Sequence, residues 1–337
     1  MPLPPVTPAD PLVGIGRFAR WNTTLPLLVT PEWRRVRAAQ AVATPFEGPA
    51  RHTAVVPTYR QIAGRTVRFA EAGDPDKPTV LFLSPLPFTL LTFELVWRAL
   101  GKDAHLVAFD VPGLGKSPGG PEVMRYDVSA RYLLDLMADL DLHDVHLVGH
   151  DIPSAIVLNA AATDRSRIAS LIIGDGPGID IEATDLTLNG TAVSRLFDWG
   201  PAYRAAIGRL GAPTFVGLMQ RLGQVRMRTS AVEVADQLEA YGDGRLTDVM
   251  TWFSGAVDGI RTYVDPHLDD LDVPVQILWG ADDVVVLEEM GRELDRRLPR
   301  STFTSIPDAG HAPWADQPEV YADLLRSWIA DGHRQLS

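Results

Sequence analysis

The sequence predicts an α/β fold in which helices cover both faces of a mostly parallel sheet. Three observations support this prediction. Short β-rich runs alternate with amphipathic helical patterns, one run leads through a sharp turn into a helix, and the 337 residues are 46% hydrophobic and 22% charged. Such alternation is typical of parallel sheets with crossover helices. The length suits one large domain or a domain with an inserted lid.

Seven β-rich runs are expected to form strands of this sheet. They cover Thr66–Ala70, Thr79–Ser84, His105–Asp110, Val145–Gly149, Ile168–Ile173, Val275–Trp279 and Thr302–Ile306. Amphipathic patterns between the runs predict helices over Val128–Leu142, Ser154–Thr163, Leu287–Leu298 and Pro318–Ala330. The alternation stops between Ile173 and Val275, where aromatic residues and methionines at helical spacing predict an inserted helical cap. Apolar residues in such a pattern are more often core than binding site, so we expect few of them to line a pocket.

The chain therefore divides into three predicted parts. Residues 1–52 are rich in proline and form an extension packed on the main domain, with one amphipathic helix over Pro31–Val42. Residues 53–177 and 268–337 form the α/β core, and residues 178–267 form the helical cap.

Composition excludes several classes of function. A net charge of -12 disfavours nucleic acid or an anionic membrane as a partner and leaves a small neutral molecule as the expected substrate. The aromatic residues and methionines of the predicted cap favour an apolar, bulky one. The absence of cysteine excludes disulfides, thiolate catalysis and Cys-ligated metals. No secretory signal or long apolar span is recognisable, so we expect a cytoplasmic protein. The sequence leaves a homodimer open.

Asp151 lies where a predicted strand turns into a predicted helix. The run Val145–Val148 leads into Gly149-His150-Asp151-Ile152-Pro153-Ser154, and a helical pattern follows. This is the context of a nucleophile elbow, which exposes one side chain above the sheet. The free N–H groups and the positive dipole end of a helix start favour an ionised carboxylate. Asp151 could instead be a simple helix N-cap, a role that aspartate often fills.

An acid and a histidine follow Asp151 at the ends of two later strands. Asp283 lies in the motif Trp-Gly-Ala-Asp-Asp, and His311 lies in Asp-Ala-Gly-His. With these motifs the chain resembles the α/β-hydrolase fold superfamily over about residues 53–332, in particular the branch of epoxide hydrolases and haloalkane dehalogenases with an aspartate nucleophile. The resemblance implies a mostly parallel eight-stranded sheet flanked by helices, with an inserted helical cap. It assigns Asp283 as the acid that orients the base His311, and Asp308 and Asp175 are weaker alternatives for that acid.

A carboxylate nucleophile favours attack on a saturated carbon, because attack on an acyl group would produce an anhydride. The resemblance implies an alkyl-enzyme ester at Asp151, which water activated by His311 would then hydrolyse. The backbone N–H groups of Leu86 and Ile152 are the expected oxyanion donors. Haloalkane dehalogenases commonly bind the halide with asparagine and tryptophan side chains at these two positions. Leucine and isoleucine cannot donate such side-chain hydrogen bonds, so the sequence favours an epoxide hydrolase over a dehalogenase.

The cap of an epoxide hydrolase usually holds the ring oxygen with tyrosines. Tyr263 is the first candidate here because it lies late in the cap. The further candidate residues for oxygen or substrate binding are Tyr203, Tyr241, Trp199, Trp252 and Pro87. Each tyrosine could instead belong to the core of the cap, with its hydroxyl at the rim.

Two departures from the family pattern leave an alternative open. The oxyanion loop reads Ser84-Pro85-Leu86-Pro87 where the family has His-Gly-x-Pro, and Pro153 replaces the glycine of the elbow. Proline is tolerated in the first turn of a helix but disfavours helical angles at Ile152. A cofactor-free lyase, a cyclase or a ligand-binding protein with a degenerate site is therefore the alternative to a hydrolase.

No cofactor or metal is expected. The segment Asp110-Val111-Pro112-Gly113-Leu114-Gly115-Lys116-Ser117 ends like a phosphate-binding loop, but Asp110 stands where that loop requires its first glycine.

Overall fold

The computed structural model describes residues 52–179 and 212–336, apart from positions 214, 218, 221, 222, 227, 254 and 284. Within this part of the chain, eight strands form one sheet in the order β1-β2-β4-β3-β5-β6-β7-β8. The strands are β1 Thr58–Ile62, β2 Arg65–Gly73, β3 Thr79–Leu83, β4 His105–Phe109, β5 Val145–His150, β6 Ile168–Gly174, β7 Val275–Gly280 and β8 Ser301–Ile306. Strand β2 is antiparallel to β1 and β4, and every other neighbouring pair is parallel. The predicted mostly parallel sheet is confirmed.

Helices connect and cover these strands. Their bounds are α1 Glu94–Leu100, α2 Tyr126–Asp139, α3 Ile152–Thr163, α4 Ala231–Ala240, α5 Arg245–Phe253, α6 Ala256–Tyr263, α7 Glu288–Arg297, α8 Pro313–Asp316 and α9 Pro318–Ala330. Three of them, α4 to α6, lie in the predicted cap, and a short 3-10 helix over Asp265–Asp270 follows them. No described helix is both long and apolar enough to cross a membrane. The predicted helix Pro31–Val42 and the rest of the N-terminal extension lie outside the described residues.

The sheet separates two hydrophobic cores because successive strand residues point to opposite faces. In β3, Leu81 and Leu83 belong to one core, whereas Val80 and Phe82 belong to the other. Helices α2, α3 and α7 bury their apolar sides in the first core, and α1 and α9 bury theirs in the second. The cap helices α4 to α6 pack onto the first core. The whole of β4, β5 and β7 is buried, which is typical of central parallel strands covered on both faces.

One buried cluster of charged side chains joins the cap to the sheet. Asp236 of α4 accepts hydrogen bonds from Arg68 of β2 at 2.6 Å and 3.0 Å and from Thr89 at 2.7 Å. Its carboxylate also lies 2.7 Å from Lys116 Nζ. Burial raises the pKa of Asp236, but the bonds to Arg68, Lys116 and Thr89 outweigh burial, and the pKa lies below its ordinary value. Through this one carboxylate, α4 of the cap contacts β2, Thr89 and the loop that carries Lys116.

The parallel strands bring several loops together at one edge of the sheet. Leu86 follows β3, Tyr126 follows β4, Asp151 follows β5, Asp283 follows β7 and His311 follows β8. In open α/β sheets this carboxyl edge is where ligands bind.

Candidate active site

Asp151 occupies a strained turn between β5 and α3. Its backbone has φ of 56° and ψ of −136°, a conformation that residues other than glycine rarely adopt. Glycines allow this turn to fit: a Cβ on Gly149 would lie 2.6 Å from the carbonyl oxygen of Pro153, and one on Gly176 would lie 2.1 Å from that of Asp151. Helix α3 begins at Ile152, with Pro153 in its first turn. The structure therefore keeps the sharp turn despite Pro153.

The two carboxylate oxygens of Asp151 have different neighbours. The N–H of Leu86 donates a hydrogen bond to Oδ2 at 3.0 Å. Oδ1 lies 3.5 Å from Nε2 of His311. The residue holds the N-cap position of α3, but its side chain makes no capping hydrogen bond. The free N–H of Ile152, at the first position of the helix, has no acceptor within the helix. One oxygen of the carboxylate is thus anchored, and the other faces the histidine.

His311 is fully buried and is oriented by Asp283. Its Nδ1 lies 2.9 Å from Oδ2 of Asp283, whose other oxygen accepts hydrogen bonds from the N–H groups of Val285 at 2.7 Å and Val286 at 3.1 Å. A carboxylate that already accepts two backbone hydrogen bonds is a suitable acceptor for a proton on Nδ1. The opposite nitrogen, Nε2, has no hydrogen-bond partner among the described residues. This nitrogen is therefore the one available for proton exchange with a bound molecule or water.

The alternative acids do not contact His311. Asp308 lies on the exterior and pairs with Arg226 at 3.4 Å. Asp175 is buried and bonds to His150 at 3.0 Å and to the N–H of Gly280 at 2.9 Å. Among the three acids that the sequence offered, the structure brings Asp283 to the ring of His311.

The carboxylates around His311 decide its charge. Burial lowers the pKa of His311, but the nearby charges of Asp283 and Asp151 outweigh burial. The pKa therefore lies well above its ordinary value. The two neighbouring carboxylates thus favour the protonated form of the ring.

A second layer of polar groups lies beneath the elbow. Nδ1 of His150 lies 3.0 Å from Oδ2 of Asp175, and Nε2 lies 2.6 Å from the hydroxyl of Tyr321. Burial lowers the pKa of His150 to about 3, so the ring is neutral at physiological pH. A neutral imidazole has one donor and one acceptor nitrogen, and this pair of partners satisfies both. The layer fixes the residue next to Asp151 and supports the turn.

Asp316 orders the loop that carries His311. Its carboxylate accepts hydrogen bonds from the N–H groups of Gly310 at 2.8 Å, Val225 at 2.9 Å and Arg226 at 2.8 Å. Because Val225 and Arg226 belong to the predicted cap, the same carboxylate joins the cap to the histidine loop. Burial raises the pKa of Asp316 to about 6. The sequence analysis missed this residue, although an aspartate five positions after the histidine was a visible signal.

The aromatic residues predicted to face the substrate have different surroundings. The hydroxyl of Tyr241 accepts a hydrogen bond from the N–H of Gly115 at 3.1 Å and donates to the carbonyl of Phe88 at 3.4 Å. The hydroxyl of Tyr263 accepts a hydrogen bond from Arg125 at 3.0 Å. The structure thus gives no support to Tyr263 as the first candidate. Trp199 and Tyr203 lie outside the described residues.

The structure describes the two remaining candidates, Trp252 and Pro87. Pro87 is buried and directly follows Leu86, whose N–H contacts Asp151. Trp252 packs edge-on against Tyr126, with 5.7 Å between the ring centroids. Tyr126 itself was missed, because the predicted helix began at Val128, two residues after the actual start of α2. An aromatic hydroxyl at a helix start on the carboxyl edge was the signal that could have identified it.

Asp283→Asn is expected to lower the pKa of His311, because one of the two carboxylates that favour the imidazolium loses its charge. An NMR titration of the ring nitrogens should show the proton lost at a lower pH than in the wild type. A raised folded pKa stabilises the wild type below the unfolded histidine pKa of about 6.5. That contribution is lost as the pH rises through the folded value. The Asp283→Asn variant should lack most of this pH-dependent contribution to stability.

Asp308→Asn is the matched control for this titration. It removes an aspartate that is nearer to His311 in the sequence than Asp283 is, but one that pairs with Arg226 on the exterior. The titration of His311 should be unchanged in this variant. Equal shifts in both variants would contradict the assignment of Asp283 as the partner.

Comparisons with known proteins agree with this architecture. A family model described as alpha/beta hydrolase fold matches residues 78–318. The uncharacterized hydrolase YugF of Bacillus subtilis (strain 168) is 23% identical over 283 residues, which cover 82% of this chain and 99% of that protein.

Two solved structures are similar in fold. Haloalkane dehalogenase DbeA from Bradyrhizobium elkani USDA94 has a TM-score of 0.70 and 21% identity, with 84% of this chain and 100% of that chain covered. Epoxide hydrolase CorEH has a TM-score of 0.68 and 18% identity, with 82% and 99% covered. At these identities the two structures show a shared fold.

Proposed function

The chain belongs to the alpha/beta hydrolase fold family, and from that premise we propose that it is an epoxide hydrolase-like enzyme acting on an apolar epoxide through a covalent ester at Asp151. One observation carries the proposal: a carboxylate at the elbow has one oxygen held by the N–H of Leu86 and the other next to His311. An anchored carboxylate of this kind presents a single nucleophilic oxygen in a fixed direction.

In the first step, Oδ1 of Asp151 attacks an epoxide carbon. The new bond joins that carbon to Oδ1, the carbon–oxygen bond of the ring breaks, and the electron pair goes to the ring oxygen. Asp151 loses its negative charge in the ester. The raised pKa of His311 depends partly on that charge, so it falls at this point, and the imidazolium can give its proton to the new alkoxide.

In the second step, the neutral His311 takes a proton from water, and the water oxygen attacks the carboxyl carbon of the Asp151 ester. The negative charge that develops on Oδ2 is held by the N–H of Leu86, and the N–H of Ile152 is the second candidate donor. Collapse expels the diol oxygen, which takes the second proton of the water. The carboxylate and the imidazolium are then restored, and the sum is one epoxide plus one water giving one diol.

The dehalogenase alternative needs side chains that solvate a departing halide. The two residues adjacent to the nucleophile carboxylate, Leu86 and Ile152, have apolar side chains, and both are buried. Neither can donate a side-chain hydrogen bond. An epoxide needs no such halide site, because its leaving oxygen stays attached to the substrate. This difference favours the epoxide.

The alternative of a degenerate, non-hydrolytic site rested on Pro85 and Pro153. The contact between the N–H of Leu86 and Asp151 supports retention of an oxyanion donor despite the altered loop. The positive φ of Asp151 supports retention of the elbow. Both observations favour a hydrolase over a binding protein.

A single turnover in ¹⁸O-labelled water tests the proposal. Enzyme in excess over styrene oxide should incorporate one labelled oxygen into the Asp151 side chain, because the water oxygen enters the carboxyl group when the ester is hydrolysed. The first diol should carry an unlabelled oxygen from the enzyme. Mass spectrometry of the peptide that contains Asp151 measures the exchange. A labelled diol together with an unlabelled Asp151 would show direct attack of water and overturn the covalent mechanism.

A further inference from the structure

Tyr126 has a buried hydroxyl without a partner at the carboxyl edge of the sheet. The residue is 2% exposed, and its hydroxyl has no hydrogen-bond partner among the described residues. Buried polar groups in folded proteins are nearly always paired, because an unpaired one destabilises the folded state. If the ring only filled space, phenylalanine would serve as well and would leave no buried hydroxyl unpaired. The unused hydroxyl therefore points to a partner that binds from outside the chain.

The ring of Tyr126 is held in place by the cap. Trp252 of α5 packs edge-on against it, and Gly259 of α6 approaches so closely that a Cβ there would lie 2.8 Å from Cδ2 of the tyrosine. Gly259 has ordinary backbone angles, so close packing is the reason that a side chain is excluded. Two cap helices thus restrict the position of the tyrosine ring.

Topology places the start of α2 and the elbow of Asp151 at the same edge of the sheet. Helices α2 and α3 follow β4 and β5, which lie on either side of β3, and the two helices pack side by side. Tyr126 is the first residue of α2, and Asp151 directly precedes α3. Burial and, secondly, the negative charge of Asp151 raise the pKa of Tyr126. The phenol therefore keeps its proton and remains a hydrogen-bond donor throughout the neutral range.

The other described tyrosines of the site are already engaged. Tyr241 has both an acceptor and a donor bond to the backbone, and Tyr263 is bound by Arg125. Tyr321 contacts His150 beneath the elbow. Among these four tyrosines, Tyr126 is the one whose hydroxyl neither donates nor accepts a hydrogen bond among the described residues.

We propose that Tyr126 donates a hydrogen bond to the substrate oxygen that becomes an alkoxide when Asp151 attacks the neighbouring carbon. This inference rests on the proposed function. The carbon–oxygen bond breaks toward the oxygen, Tyr126 keeps its proton, and the imidazolium of His311 supplies the proton that the alkoxide takes. The oxygen is then bound by a residue of the α/β core, Tyr126 at the start of α2. The cap helices pack against the ring of this tyrosine.

Tyr126→Phe tests this assignment because it removes the hydroxyl and keeps the ring. The alkylation rate of Asp151, measured by rapid mixing with styrene oxide and mass spectrometry, should fall about 100-fold, as for the loss of one preorganised donor. Hydrolysis of the preformed ester should keep its rate, because that step places charge on Oδ2 and on the ester oxygen of Asp151, and the former ring oxygen stays a neutral hydroxyl. The melting temperature should be unchanged or higher, because an unpaired buried group is removed.

Tyr132→Phe is the matched control on the same helix. Its hydroxyl donates to the carbonyl of Ile62 at 3.0 Å, so its donor capacity is already used within the chain. This variant should lose stability and keep the alkylation rate, which is the opposite pattern. A wild-type alkylation rate in Tyr126→Phe, or an equal loss in both variants, would overturn the inference.

Two further measurements keep the inference separate from folding and from the proposed function. If Tyr126→Phe does not fold, 3-fluorotyrosine at position 126 keeps the hydroxyl and makes it a stronger donor; an alkylation rate identical to the wild type would count against the assignment. The ¹⁸O experiment on the wild type decides the covalent mechanism independently. Label in Asp151 with normal alkylation by Tyr126→Phe refutes the role of Tyr126 alone, whereas no label refutes the proposed function.

Discussion

His311→Gln is expected to consume about one equivalent of epoxide and then stop. Asp151 and the N–H of Leu86 are unchanged in this variant, so the ester still forms, more slowly because the alkoxide must take its proton from water. Hydrolysis of the ester loses its general base. Turnover should fall by at least about 10³-fold, as it does when a triad histidine is removed. Intact-protein mass spectrometry should detect a stoichiometric adduct with the mass of the substrate.

His143→Gln is the control for this trapping experiment. His143 is exposed and precedes β5, at the opposite edge of the sheet from the carboxyl ends. It should turn over normally and show no adduct. If His311→Gln consumed many equivalents of epoxide without an adduct, His311 would not be the base that hydrolyses the ester.

The strands of the core could be predicted because burial leaves a clear pattern in the sequence. Strand β4 is buried at every position and was predicted to within one residue. Strand β1 was missed, because four of its five residues are exposed and it lies at the edge of the sheet. Helix α1 was also missed, since seven residues give too few turns for a helical period to be recognised.

The contacts of Asp151, His311 and Asp283 could be anticipated for a topological reason. Each residue follows a parallel strand, and parallel strands present their carboxyl ends at one edge. The order of the strands did not have to be known in detail. A residue that directly follows one of these strands therefore lies near the residues that follow the others.

The positions of the cap residues could not be predicted in this way, because no comparable rule says where the side chains of an inserted helical segment lie. An aromatic residue on an amphipathic helix can face the pocket, the core or another side chain, and its sequence spacing is the same in each case. Tyr263 contacts Arg125, which is 138 positions away in the chain. Trp252 and Gly259 pack against the ring of Tyr126, and both are more than a hundred positions away from it in the chain. Contacts of this range cannot be deduced from local pattern.

Asp151→Asn is expected to abolish epoxide turnover, with a loss of at least about 10⁴-fold. A neutral amide is a poor nucleophile, whereas its size and its carbonyl acceptor match the carboxylate, so the contact with the N–H of Leu86 can persist. The protein should remain folded and should still bind a diol product, which isothermal titration calorimetry can measure. The pKa of His311 should also fall, because one of its two carboxylate neighbours is neutral.

Asp151→Ser separates the type of bond attacked from the general architecture of the site. A hydroxyl activated by His311 can accept an acyl group, so p-nitrophenyl acetate should give an acyl-enzyme in this variant. Epoxide turnover should remain at the level of Asp151→Asn, because the serine hydroxyl lacks the charge of the carboxylate. Undiminished epoxide turnover in either variant would show that water attacks the epoxide directly. The carboxylate at the elbow would then have a role other than nucleophile.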